Sequence, residues 1–138
     1  MDEQLFRLSR DWLVKALHEL RSAHIVSRDP DGPLDTAIYH CQQAAEKALK
    51  SRLTWNSIPF ERTHDLVRLA RQAATSNPAF NQIFQAAQYL TPYDSIFRYP
   101  GLADEDVPAR DEFDEALQHA QATFDLVKEL LPADMLGK

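Results

Sequence analysis

Three long segments of this chain place apolar side chains three and four residues apart, the spacing of one face of an α-helix. The segments run over residues 2–27, 33–55 and 108–131, and two shorter ones begin near Thr63 and at Pro78. Only three of the 138 residues are glycine, while alanine, leucine, glutamine and arginine, which favour helices, are frequent. The pattern predicts an all-α fold, an up-down bundle of about five helices (three long, two short) in a single domain spanning 1–138.

Each long segment has its own predicted packing face. The second helix carries small side chains at Cys41, Ala44, Ala45 and Ala48, which let neighbours approach closely and make it the predicted central helix. In the third helix, Thr63 is the predicted N-cap. Residues 91–108 form the longest irregular connection. The predicted apolar stripe of the first helix consists of Leu5, Leu8, Trp12, Ala16, Leu20 and Ala23.

The charge of −6 is unevenly distributed. Residues 1–100 carry 12 Lys and Arg against 11 Asp and Glu, whereas residues 101–138 carry 3 against 10. This balance argues against broad binding of nucleic-acid backbone but leaves room for a small basic site.

The cysteine and histidine content narrows the classes of protein and of binding site that remain possible. One cysteine, Cys41, cannot form an internal disulfide, so we expect a cytoplasmic protein with Cys41 as an inert core side chain. No stretch approaches a membrane span, and the acidic start lacks the apolar region of a signal peptide. The five histidines show no metal-ligand spacing, and three scattered glycines cannot form a phosphate-binding loop, so no metal or cofactor is expected.

Three strings in the chain form an ordered set of motifs. YHCQQAAEKALKSRL covers residues 39–53, ERTHDL covers 61–66 and FRYPG covers 97–101. Together they resemble the HEPN (higher eukaryotes and prokaryotes nucleotide-binding) domain family, in its R-Y-P branch. The resemblance implies an all-α bundle that homodimerises. It also implies a prokaryotic module that binds a nucleotide and partners a small nucleotidyltransferase in a two-component, toxin–antitoxin-like system.

Many HEPN proteins are metal-independent ribonucleases with an arginine and a histidine separated by four to six residues. Here Arg10 and His18 have seven residues between them, and Arg110 and His119 have eight. The missing spacing favours a binding module over an enzyme. Two alternatives stay open: a ribonuclease that pairs His64 with Arg98 across space, and a purely structural dimer.

The motif strings supply six candidate ligand-binding residues. His64 is predicted at the start of the third helix, where backbone N–H groups can receive an anion; the alternative is that it caps that helix. Arg98 can bind a phosphate through two parallel hydrogen bonds, or can pin its loop by pairing with Glu46 or a helix end. Tyr99 can stack on a base or donate from its hydroxyl.

The other three candidates are on the second helix. Gln43 and Lys47 are four residues apart and so share one strip, predicted to contact the R-Y-P loop or a ligand. His40 precedes them by one turn and could join Gln43, or could be a satisfied half-buried histidine. Glu46 and Lys50 have the favoured order for an intrahelical ion pair, which predicts a solvated helix face at Lys50.

Overall fold

The computed structural model describes residues 2–137, which contain five α-helices, two 3₁₀ helices and no β-strand. The long helices α1, α2 and α5 extend for about 30–40 Å at 1.5 Å per residue. This confirms the all-α bundle with three long helices. The α-helices are α1 (Glu3–Arg28), α2 (Leu34–Trp55), α3 (Leu66–Ser76), α4 (Phe84–Leu90) and α5 (Arg110–Glu129).

Helix α2 is at the centre of the bundle, as its small residues predict. It packs against each of the other four α-helices, and Cys41 is fully buried among them. Burial raises the pKa of the Cys41 thiol to about 12, which keeps it protonated and unreactive. The buried residues of α2 with no exposed surface include Ala37, Ile38, Cys41, Ala44, Ala48, Leu49 and Leu53.

A tight turn joins α1 to α2 and requires glycine for steric reasons. The Gly32 amide donates to the Asp29 carbonyl oxygen at 2.9 Å. A Cβ atom on Gly32 would lie 1.8 Å from the Val26 carbonyl oxygen, so any larger residue would push the turn away from the end of α1.

The packing face of α1 differs from the predicted stripe near its start. Leu8 is 51% exposed and Trp12 is only partly buried, whereas Ser9 and Leu13 are fully buried. Ser9 faces α2 because the Ser51 hydroxyl donates to its carbonyl oxygen at 2.7 Å. A small polar residue thus occupies the close contact between the helices, which a search for apolar residues cannot detect.

Helix α3 begins two residues later than the predicted cap implies. Asp65, not Thr63, is its N-cap, because the Asp65 carboxylate accepts from the amides of Val67 at 3.0 Å and Arg68 at 3.3 Å. The Thr63 hydroxyl accepts instead from the Asp65 amide at 3.1 Å. His64 therefore lies before the helix and is free to turn towards α2.

The connection between α4 and α5 is partly ordered by 3₁₀ structure. Thr91–Asp94 is a 3₁₀ helix, and the Tyr93 hydroxyl donates to the Glu112 carboxylate on α5. Turns and bends follow as far as residue 107. Arg110 then donates to the Ser27 carbonyl oxygen at 2.9 Å, which places the start of α5 beside the end of α1.

Candidate functional site

A buried polar network connects α2 to the segment that precedes α3. The Glu46 carboxylate is almost fully buried; one oxygen accepts from Lys50 Nζ at 2.9 Å, and the other contacts His64 Nδ1 at 2.8 Å. Gln42 Nε2 donates to that second oxygen at 3.2 Å and to the His64 carbonyl at 3.3 Å. The network fixes the orientation of the His64 ring, whose side chain is 60% exposed.

Lys50 is buried with Glu46, so the predicted solvated face is wrong. Its Nζ lies 5.5 Å from the centre of the Trp12 ring and 5.7 Å from that of Phe60. Two aromatic faces and a carboxylate thus replace the water that an exposed ammonium group would bind. The error arises because Glu and Lys at i and i+4 usually mark a surface, whereas α2 is surrounded by helices.

A second network joins α1 to α2 around Glu19. The Glu19 carboxylate contacts His40 Nδ1 at 2.6 Å and accepts a short hydrogen bond from Lys47 Nζ. Burial acts to raise the pKa of Glu19, but the hydrogen bonds and charges of His40 and Lys47 outweigh it, and the pKa is lowered. Lys47 and His40 are therefore already engaged by a carboxylate inside the protein.

The R-Y-P loop holds an exposed arginine between aromatic rings. The Arg98 guanidinium lies 4.5 Å from the centre of the Tyr39 ring and 5.5 Å from that of Tyr99. Its Nη1 donates to the Asp94 carbonyl oxygen at 3.3 Å. Within residues 2–137 Arg98 forms no ion pair, and Glu46 pairs instead with Lys50 and His64. The predicted clamp between Arg98 and Glu46 is absent from this part of the chain.

Two shallow clefts adjoin Arg98. One, of about 260 Å³, is formed mainly by the loop from Ile96 to Asp106, and the other, of about 230 Å³, includes Tyr39. Both share Asp35, Phe97 and Arg98. The clefts combine aromatic rings and one guanidinium with carboxylates, so they offer both stacking surfaces and hydrogen-bond acceptors.

The six predicted ligand residues form three groups. Glu19 brings His40 and Lys47 together, rather than His40 joining Gln43. The Gln43 amide donates to Gln42 at 2.8 Å, and Gln42 in turn reaches the backbone of His64. Arg98 and Tyr99 form the third group, with the exposed Tyr99 side chain beside the guanidinium.

Sequence reasoning paired Glu46 with Lys50 but placed the pair on a solvated face, and it missed Glu19. Glu19 and Glu46 are each the partner of one lysine and one histidine. Glu46 could be found from the sequence because Gln42, Glu46 and Lys50 follow one another at intervals of four residues. They therefore share one strip of a helix that is predicted to be central. Glu19 gave no comparable signal, because its partners are 21 and 28 residues away in sequence.

The described part of the chain offers no metal-binding group. Within residues 2–137 no three histidine, cysteine, aspartate or glutamate side chains converge as metal ligands would. None of the helices in this range combines the length and apolar character that crossing a bilayer demands.

The fold and the R-Y-P loop define a class of small all-α modules whose central helix carries buried polar side chains. Comparisons with known proteins identify this class. The model of the HEPN domain matches residues 9–130, and the chain belongs to the HEPN domain family. Among curated proteins, none matches this chain.

Two solved structures are similar over most of the chain. TT1696 from Thermus thermophilus is 31% identical with a TM-score of 0.74, covering 89% of this chain and 98% of its own. The archaeal HEPN homologue ST0689 is 28% identical with a TM-score of 0.70, covering 88% of this chain and 96% of its own. Both similarities therefore extend over most of the chain.

Proposed function

We propose that this HEPN module binds a nucleotide, homodimerises and partners a separately encoded small nucleotidyltransferase in a two-component, toxin–antitoxin-like system. The observation that carries the proposal is the exposure of the Arg98 side chain and the absence of a carboxylate partner for it within residues 2–137. Its guanidinium is exposed, is stacked on Tyr39 and has no carboxylate partner within residues 2–137. By contrast, Lys47 and Lys50 are held by Glu19 and Glu46.

The chemistry of the clefts supports a single nucleotide over a nucleic-acid strand. Tyr39 and Tyr99 offer rings for a base, and Arg98 can contact one phosphate. Asp35 and Glu105 can accept from ribose hydroxyls, yet their charges disfavour a chain of phosphates. This arrangement fits a ligand with few negative charges.

Affinity purification of the tagged chain from its native host tests the partnership. We expect a small nucleotidyltransferase to be recovered in an amount comparable to the tagged chain, and to be absent from the control purification without the tag. Recovery of this chain alone, in repeated purifications at low salt, would contradict the partnership.

One observation favours a second candidate function, a metal-independent ribonuclease. Since Glu46 accepts from His64 Nδ1, the Nε2 atom of the neutral ring carries the lone pair, and the exposed ring could remove a proton from a ribose 2′-hydroxyl. Arg98 would have to stabilise the phosphorane, but no hydrogen bond joins it to His64 in residues 2–137.

An RNA degradation assay separates the two functions. Purified protein is incubated with single-stranded RNA in the presence and absence of EDTA, beside the variants His64→Ala and Arg98→Ala. The binding module leaves the RNA intact in every reaction. Cleavage that resists EDTA and disappears in both variants would establish the ribonuclease instead.

A further inference from the structure

Two exposed patches of opposite charge lie at one end of the bundle. The basic patch consists of the exposed Arg21, Ile25 and Arg28 with the half-buried His24, on the last two turns of α1. The acidic patch consists of Leu102, Asp104, Glu105, Asp106 and Val107 in the loop before α5. Arg110 ties the start of α5 to Ser27, and Asp35 at the start of α2 lines the cleft beside Glu105 and Asp106. Both patches therefore face the same end.

Each patch has exposed apolar side chains beside its charges. Ile25 is 64% exposed, Leu102 is 57% exposed and Val107 is 50% exposed. An apolar centre with a charged rim is the usual composition of a protein–protein interface.

The charges of both patches lack partners in the described chain. Within residues 2–137 no ion pair includes Arg21, Arg28, Asp104, Glu105 or Asp106. The acidic loop and the basic end of α1 therefore complement each other without being joined in one molecule.

We infer that the basic patch of one copy docks on the acidic patch of a second copy, and that the reverse contact forms at the same time across a twofold axis. Because both patches lie at the same end of each chain, a twofold axis can form both contacts at once, and the two contacts are then identical and close the interface. The inference rests on the homodimer of the proposed function and adds the surfaces that form it. It leaves the cleft at Arg98 next to the interface, since Glu105 and Asp106 belong to both.

Charge exchange between two variants tests this interface. The first variant, Arg21→Glu/Arg28→Glu, makes both patches acidic, and the second, Glu105→Arg/Asp106→Arg, makes both basic. We expect each alone to dimerise at least about 100-fold more weakly than the natural sequence, because like charges then face each other. An equimolar mixture should form a heterodimer, because both contacts regain opposite charges.

The measurement is sedimentation velocity over a range of protein concentrations, with circular dichroism to verify that each variant is folded. The control, Arg7→Glu/Lys15→Glu, changes exposed residues nearer the start of α1 and should leave the dimer intact. A natural sequence that dimerises together with two variants that also dimerise overturns the inference but leaves the homodimer standing. A natural sequence that stays monomeric overturns both.

Discussion

At the scale of single residues, two carboxylates organise the polar chemistry of this HEPN module. Glu46 pairs with the buried Lys50 and orients His64, and Glu19 pairs with the half-buried Lys47 and contacts His40. A buried ammonium group is tolerated only while its counter-charge is present. The stability of the bundle and the orientation of its histidines therefore depend on the same two side chains.

Replacing Glu46 by Gln tests this dependence. The change leaves the Lys50 ammonium buried without a counter-charge, and we expect the free energy of unfolding to fall by about 3–5 kcal/mol. Denaturant unfolding monitored by circular dichroism measures the loss. Glu61→Gln is the matched control, because its pair with Arg68 is exposed and is worth less than about 1 kcal/mol. Equal losses in the two variants would contradict the account.

The lowered pKa of Glu19 predicts a specific acid sensitivity. Since the folded pKa lies below the ordinary value of 4.5, the unfolded chain binds more protons between the two values. Stability from this group is complete above pH 4.5 and is lost as the pH falls through the folded pKa. Urea unfolding in steps from pH 6 to pH 3 should show the decline, and Glu19→Gln should show a shallower one. Identical slopes would exclude the Glu19 network as the cause.

Cys41 should be inert in the folded protein. Its thiol is buried and its pKa is raised to about 12, so almost no thiolate exists near neutral pH. Titration with a thiol reagent at pH 8 should label less than about a tenth of the protein in the time that labels all of it in denaturant. Rapid labelling of the folded chain would show that α2 opens or that Cys41 is accessible.

At the scale of helices, the sequence pattern predicts most of the fold and misses where neighbouring elements meet. The small residues of α2 identify the central helix, because each of Cys41, Ala44 and Ala48 permits a close neighbour. The stripe of α1 is displaced near its start because Ser9 faces α2 through a backbone contact with Ser51. The spacing of apolar residues predicts only which apolar side chains are buried, whereas the contact at Ser9 depends on a backbone carbonyl oxygen.

The turn between α1 and α2 depends on its glycine, and substituting that glycine tests the steric argument. Gly32→Ala places a Cβ atom within 1.8 Å of the Val26 carbonyl oxygen, so the turn must shift and we expect a loss of about 1–3 kcal/mol in unfolding free energy. Asp31→Ala, in the same turn, serves as the control because the Asp31 side chain is exposed. Thermal unfolding compares the two variants, and an unchanged midpoint for Gly32→Ala would contradict the steric argument.

At the scale of the whole molecule, one end of the bundle carries the exposed groups on which the proposed nucleotide site and the proposed dimer interface rest. The R-Y-P loop presents Arg98 and Tyr99 beside the acidic patch, and the basic end of α1 lies nearby. The sequence identified Arg98 through a motif, but the position of that loop against Tyr39 depends on tertiary packing. The same packing pairs the lysines of α2 with Glu19 and Glu46 and leaves Arg98 without a carboxylate partner within residues 2–137, which the motif alone could not indicate.

Nucleotide binding at Arg98 is the central claim, and calorimetric titration with AMP, a nucleotide with a single phosphate, tests it most directly. The account predicts saturable binding to the natural sequence. Arg98→Ala should weaken it by about tenfold or more, since a charge-assisted contact contributes roughly 1.5–3 kcal/mol. Arg68→Ala removes an exposed arginine of α3 and should bind as the natural sequence does. Absence of heat at millimolar AMP, or equal affinity in the Arg98→Ala variant, would contradict the claim.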